Sequence, residues 1–319
     1  MAKAASTAAP NQRTAYINAN VLDGTEGMEP LENHAVVVEG QRIVEVAPMA
    51  EADLAACELV DLKGAYLLPG LINMHVHLAG NGKPQKKQRD NEALVKKVMA
   101  NGLTRAIAYR LVAEYARLEL HSGVTTIRTV GGLGDFDTRV RDAGAAGKLD
   151  APRILAANQG ISVPGGHMAG SVAIAAHGIP EALEQVVVAR AQGADLIKLM
   201  ITGGVLDARE KGTPGELKMD PAMVRAVCAR AHELGFTVAA HVESTEGVRV
   251  ALEGGVDSIE HGAAPTDEIM GLFKKNGSFL CTTISPALPY ALFDRSVSCA
   301  SEVEQSLFFS PIKYPHACR

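Results

Sequence analysis

The feature that most restricts the fold is an alternation running through most of the chain. Short apolar runs of strand length take turns with stretches of helical spacing. The runs are VTTIRTV (124–130), RILAANQ (153–159), ADLIKLMI (194–201), FTVAAHV (236–242), VDSIEH (256–261) and SFLCTTIS (278–285). LLPGLINMHVH (67–77) precedes them and reads as a buried strand. Between the runs lie helices with legible ends. Pro180 suits the first turn of one that runs to Gln192. Asp220 and Pro221 open another, which Gly235 stops. Ser244 opens a third, ending at Gly254 and Gly255. Thr266, Asp267 and Glu268 open a fourth, and Lys274, Lys275, Asn276 and Gly277 close it, a charge order that suits the helix dipole. A longer pattern, Asn91 to His121, repeats Leu94, Val98, Leu103, Ile107 and Leu111 at three- and four-residue steps, with a break near Asn101 and Gly102.

Strands separated by helices on short links pair in parallel. Seven strands are counted, ending near residues 75, 130, 159, 201, 241, 261 and 283. The fold class predicted is α/β: a (β/α)8 TIM-type barrel missing its last β/α unit. The competing doubly wound sheet lacks support, because no glycine-rich phosphate loop follows the first strand. Residues 14–66 carry β-branched runs punctuated by Gly and Asp turns, with EGQR as a hairpin turn. They read as a small antiparallel unit, the N-terminal part of a β-sandwich. The expected organisation is therefore a flexible tail (1–13), this β unit (14–66), the incomplete barrel (67–297) and a separate tail (298–319).

Composition narrows the partners. The net charge is −5 with nothing basic clustered enough to suggest nucleic acid, and aromatic residues are 4 % with no Trp, which argues against a base-stacking platform. Cys57, Cys228, Cys281, Cys299 and Cys318 are scattered without a CxxC pair, as in a cytoplasmic protein with reduced thiols. MAKAASTAAPNQR lacks an apolar core and reads as a flexible tail rather than a signal peptide, and no run of ~18 apolar residues exists to span a membrane. The expected partner is a small-molecule substrate, with no nucleic acid and no membrane. A homo-oligomer stays open.

The chemistry lies at strand ends, where a barrel places it. His75 and His77, two apart on a strand, leave by the same face. Two converging imidazoles make half of a first-row metal site, although a lone HxH is more often a pair of surface histidines. His241 and His261 close two later strands. Alone each reads as a core histidine; with the HxH pair, four imidazoles could hold two divalent ions. Zinc is the first expectation, and Mn, Fe or Co suit the same donors. Lys198 sits within DLIKLM, apolar on both sides. A desolvated lysine has a depressed pKa and is nucleophilic, so it could take up carbon dioxide as a carbamate and become an anionic ligand.

With these residues in place, LLPGLINMHVHL, SGVTTIRTVGG, GGHMAG, DLIKLMITGGV, VAAHVES and GVDSIEHGA resemble the amidohydrolase superfamily. The likeness is in particular to its imidazolonepropionase-like, prolidase-like metal-dependent hydrolases, over roughly residues 14 to 285. The resemblance implies His75 and His77 on one metal, His241 and His261 on the other, and carbamylated Lys198 as the bridge. It implies hydrolysis of a C–N bond of a dipeptide, an N-acyl amino acid or a cyclic amide by a metal-bridging hydroxide. It also implies that His167, in GGHM, lies near the substrate. Two other readings remain: a non-catalytic metal-binding remnant, and lactone or phosphotriester hydrolysis on the same site. One departure stands out. The family carries a proton-accepting aspartate at the end of the eighth strand. Here Asp267 reads as a helix opener, Asp294 comes too early, and the tail from 298 matches no family pattern. The expectation is a truncated or frame-altered chain of low activity.

Overall fold

A computed structural model describes residues 12–80, 90–204 and 215–283. The tails expected at 1–13 and 298–319 lie outside these but for residues 12 and 13, and Asp294 lies wholly outside them. The chain divides into two compact units, Met1–Leu71 and Ile72–Arg319.

In the first unit, β1 (Arg13–Val21), β2 (Leu31–Glu39) and β3 (Arg42–Pro48) form an antiparallel meander, and Glu39–Arg42 makes the expected hairpin turn. The unit is not purely antiparallel, however. β4 (Cys57–Asp61) and β5 (Tyr66–Leu67) both run parallel to β1. The connection after β3 crosses to the far edge of β1 instead of turning back on β3, which no local turn signal announces. Ala19, Val21 and Val36 form its small core, while Ile43, Val44 and Val46 of β3 stay exposed.

The second unit starts with β6 (Leu71–Val76). The expected long helix is two: α1 (Asn91–Met99) and α2 (Gly102–His121), divided where Asn101 caps α2 by accepting from the Thr104 amide at 2.9 Å. Then follow β7 (Val124–Thr129), α3 (Phe136–Ala145), β8 (Arg153–Leu155), β9 (Gly160–Ser162), β10 (Ala173–Ala175), α4 (Ile179–Ala191) and β11 (Leu196–Met200). The chain continues through α5 (Pro221–Glu233), β12 (Thr237–Val242), α6 (Thr245–Glu253), β13 (Ser258–His261), α7 (Asp267–Asn276) and β14 (Phe279–Cys281). The strand order is β6-β7-β8 in one sheet and β10-β9-β11-β12-β13-β14 in the other. From β11 onward each strand lies parallel beside the next in sequence. Only β10 departs from sequence order, lying outside β9, and the order β11 to β14 runs on without reversal, so the unit is an open (β/α)8-type barrel and not a doubly wound sheet.

The helices form where expected because their ends are satisfied. Asp220 accepts from the Ala222 amide at 2.7 Å with Pro221 in the first turn, and Met223, Val224, Val227, Cys228 and Ala231 line the buried face of α5 at helical spacing. Thr266 caps α7, which confirms Asp267 as a first-turn residue. These faces, with Leu199, Val238, Ala240 and Ile259 from the strands, build the main core.

Two expectations fail locally. The strand predicted at 153–159 stops at Leu155. The Ala156 amide turns to the Asp195 carboxylate at 2.8 Å, and Asn158 adopts φ +59° with its Oδ1 accepting from the Thr138 amide at 3.1 Å. The strand predicted as buried, β6, is an edge: Leu71, Ile72 and Met74 are exposed. Among the described residues only β7 pairs with it, and β14 ends the other sheet. A cavity of about 750 Å³ runs along these two edges, with Arg128 and Ser258 deeper in it. No helix among the described residues is long and apolar enough to cross a membrane.

Fully buried Ile259 and exposed Leu103 separate core from surface. Ile259→Ala should cost about 2–5 kcal/mol, and Leu103→Ala no more than about 0.5 kcal/mol, read from urea midpoints of the metal-free chain.

Candidate metal centre

Five imidazoles meet at the strand ends. His77 and His75 have ring centroids 5.2 Å apart, His75 and His261 4.6 Å, His241 and His261 4.6 Å, and His241 and His167 3.9 Å with planes 11° apart. All five sequence-predicted histidines are therefore brought together. Lys198 joins them: its charge acts on His75, His77, His241 and His261 alike.

The hydrogen-bond partners decide which nitrogens face the centre. His77 Nδ1 donates to the Gly131 carbonyl at 2.9 Å, and His75 Nδ1 donates to Glu260 Oε2 at 2.8 Å. A carbonyl and a carboxylate only accept, so each neutral ring carries its proton on Nδ1 and keeps a lone pair on Nε2. The rings are neutral at pH 7 because burial, reinforced by neighbouring cations, pushes them down. His75, His241 and His261 fall well below the usual histidine range, and His77 to about 4. His261 Nδ1 pairs with Thr283 Oγ1 at 2.6 Å.

Two glycines make room. Gly131 has φ +136°, and a Cβ there would stand 3.2 Å from the His77 ring. At Gly204 a Cβ would stand 2.6 Å from His167 and 2.9 Å from His241. His167 reaches His241 from the loop after β9, where its carbonyl accepts from Ser162 Oγ at 3.0 Å and Met168 takes φ +54°.

Lys198 lies in the middle of β11, every residue of which is buried. Its Nζ has no hydrogen-bond partner among the described residues. Burial is the main cause that lowers its pKa to about 8; Glu260 opposes the shift and Arg128 adds to it.

Sequence reasoning missed Glu260, Arg128 and Glu243. Parallel register pairs His241 with Glu260 and Val242 with His261. Strict alternation therefore puts Glu260 beside His241 and sends His261 to the other face. His261 joins the site because its φ is +69°, a left-handed conformation costing a non-glycine residue about 1–2 kcal/mol. The signal that could have found Glu260 is its place beside His261 in SIEH. Glu243 sits with His241 and His261 so that one donor atom of each lies within 4.8 Å of the others. His75, Glu260 and Cys281 make a similar group. There the Glu260 oxygens are already engaged by His75, Arg128 and Ser258.

A buried amine without a hydrogen-bond partner among the described residues, amid neutral imidazoles of which two turn lone pairs away from their partners, fits a divalent metal centre.

Residues 66–280 match the amidohydrolase family, and residues 15–67 the NagA composite domain. With the open (β/α)8 barrel and the HxH, Lys, His, His order along its strands, the chain belongs to the amidohydrolase family. The solved structure of a "putative prolidase" from Bifidobacterium longum is 32% identical, with TM-score 0.71, covering 94% of this chain and 69% of that one. A Xaa-Pro dipeptidase with bound methionine in the active site is 28% identical, with TM-score 0.73, covering 94% and 73%. Ochratoxinase of Aspergillus niger is 24% identical over 307 residues, covering 86% of this chain; the chain spans 59% of that relative's length.

A pKa of about 8 in the fold against 10.5 when exposed has a definite sign. Below pH 8 the lysine is charged in both states and the fold carries the whole cost, about 3 kcal/mol. The cost is relieved as pH rises from 8 to 10.5, where only the unfolded chain holds the proton. Lys198→Met should therefore stabilise the metal-free chain by about 2–3 kcal/mol at pH 7 and lose that advantage toward pH 10.5. Urea denaturation across that range reads it directly.

Proposed function

We propose that this site hydrolyses a C–N bond of amide type in a small substrate such as a dipeptide or an N-acyl amino acid, with two divalent ions, zinc first among them. The observation that carries the reading is the Lys198 amine, without a hydrogen-bond partner among the described residues and set among four neutral imidazoles. The likeness to proteins named prolidase, Xaa-Pro dipeptidase and ochratoxinase supports the bond type.

In this reading His75 and His77 hold one ion, and His241 and His261 the other. Bound there, the ions would polarise the scissile carbonyl and lower the pKa of water. The chain's own groups prepare this. Burial keeps the imidazoles unprotonated, so their lone pairs stand ready at neutral pH. Depression of the Lys198 pKa raises the fraction of free amine. That amine adds to carbon dioxide through a new N–C bond and releases one N–H proton to solvent, which leaves a carbamate anion. An uncompensated buried cation thus becomes an anion suited to two cations. His167, stacked on His241, would contact the substrate in this reading. Cys57, Cys228 and Cys281 are free thiols, which supports a reducing, cytoplasmic setting.

The test is a panel of dipeptides, N-acyl amino acids, lactones and phosphotriesters on the full chain reconstituted with Zn, Mn or Co, with and without bicarbonate. Amide substrates should turn over, bicarbonate should raise metal content, and Lys198→Ala should lower kcat/KM by at least ~10²-fold, given the several kcal/mol a metal centre supplies. Preference for lactones or phosphotriesters, or metal uptake without any turnover, would refute the assignment.

A further inference from the structure

Deep in the barrel, an ion pair joins two strands that are not neighbours. Arg128, from β7, donates through Nη2 to Glu260 Oε1 at 2.6 Å, and Glu260 belongs to β13. The Glu260 side chain is 0% exposed and that of Arg128 10%. The geometry is fully engaged. Arg128 Nε donates to the Met74 carbonyl at 2.8 Å, one residue before His75, and Nη1 donates to Ser258 Oγ at 3.1 Å. Ser258 Oγ donates to Glu260 Oε1 at 2.6 Å. The remaining oxygen, Oε2, accepts from His75 Nδ1 at 2.8 Å.

A buried ion pair is a poor source of stability, because desolvation offsets its attraction and apolar replacements are often as stable. Its retention calls for another role, and the Oε2–Nδ1 bond supplies one. We propose that Arg128 and Glu260 are a positioning pair that holds His75 in its Nδ1-protonated form and at a fixed ring angle, so that Nε2 is always the free donor. This rests on the metal-centre reading above. Arg128 grips both ends of the linkage. It orients the carboxylate and anchors the strand one residue before the histidine. Glu260 must be acceptor-only for the device to work.

The Glu260→Gln variant breaks that condition while preserving shape. Glutamine has one acceptor oxygen, which Arg128 and Ser258 both claim. Its NH₂ then faces His75 Nδ1 and donates, which drives the ring to carry its proton on Nε2 and occupies the metal-facing lone pair. Two readouts on the full chain separate this from a structural role. Nitrogen-15 NMR of histidine-labelled, metal-free protein, with His75 assigned through His75→Gln, should find Nδ1–H in the wild type and Nε2–H in Glu260→Gln. Zinc affinity, by competition with a chromophoric chelator, should fall by ~10–100-fold. The double variant Arg128→Met with Glu260→Met removes both buried charges and guards against misfolding. Circular dichroism should match the wild type, while zinc affinity should still drop by ~10-fold or more. A folded Glu260→Gln or double variant that binds zinc within about threefold of the wild type, or a wild-type His75 already protonated on Nε2, overturns the positioning role. A wild-type chain that takes up no zinc overturns instead the metal-centre reading on which it rests.

Discussion

Desolvation of nitrogen at the strand ends is the constraint on which the rest of this molecule depends. Four imidazoles and one primary amine sit where water cannot stabilise their protonated forms. Each protonated form would be a buried cation beside others, so the imidazoles stay neutral at physiological pH and the amine gives up its proton more readily. The same burial that makes these groups chemically useful makes them expensive, and the fold supplies the compensation. β11 and β12 are almost wholly buried and packed on α4, α5 and α6.

Several local sacrifices serve the same end. His261 leaves the strand conformation to face its partners, Gly131 and Gly204 give up a side chain so that rings can lie on the backbone, and Arg128 and Glu260 place opposite charges in the barrel interior. None of these is what a chain optimised for stability alone would do. They cluster around one centre, as strain and buried polarity do when they serve a site.

The apolar surface of the second unit follows from the same architecture. In a closed barrel the first and seventh strands are joined through an eighth, and no edge remains. Here β6 and β14 are edges of their sheets among the described residues, with Ile72, Met74, Phe279 and Leu280 exposed beside the cavity between them. Leu103, Ile107, Leu111 and Leu118 form an exposed stripe along α2, the helix that follows β6 and α1. The periodicity that announced this helix in the sequence is thus the outward stripe, while Ala108, Val112 and Ala116 make its inner face.

Much was legible because it is local. Capping residues, apolar period and glycine stops are read within a turn or a strand, so Asp220, Ser244 and Thr266 marked their helices and the alternation marked a barrel. The candidate ligands were legible for a related reason: in a barrel a strand end is a place, so His75, His77, Lys198, His241 and His261 could be assigned to one mouth from order alone. The tertiary structure decided what order does not contain. It turned β4 parallel to β1, ended β8 early on Asp195, made β6 an edge, and stacked His167 on His241. Above all it placed Glu260 against His75, 185 residues away. Alternation could not foresee that Glu260 and His261 would both serve the site, because adjacent residues on a strand face opposite ways until one of them departs from the strand. A sequence states which groups are present and the period at which they recur. Which acceptor meets which imidazole depends on contacts across the barrel interior, and only the packing of distant strands determines those.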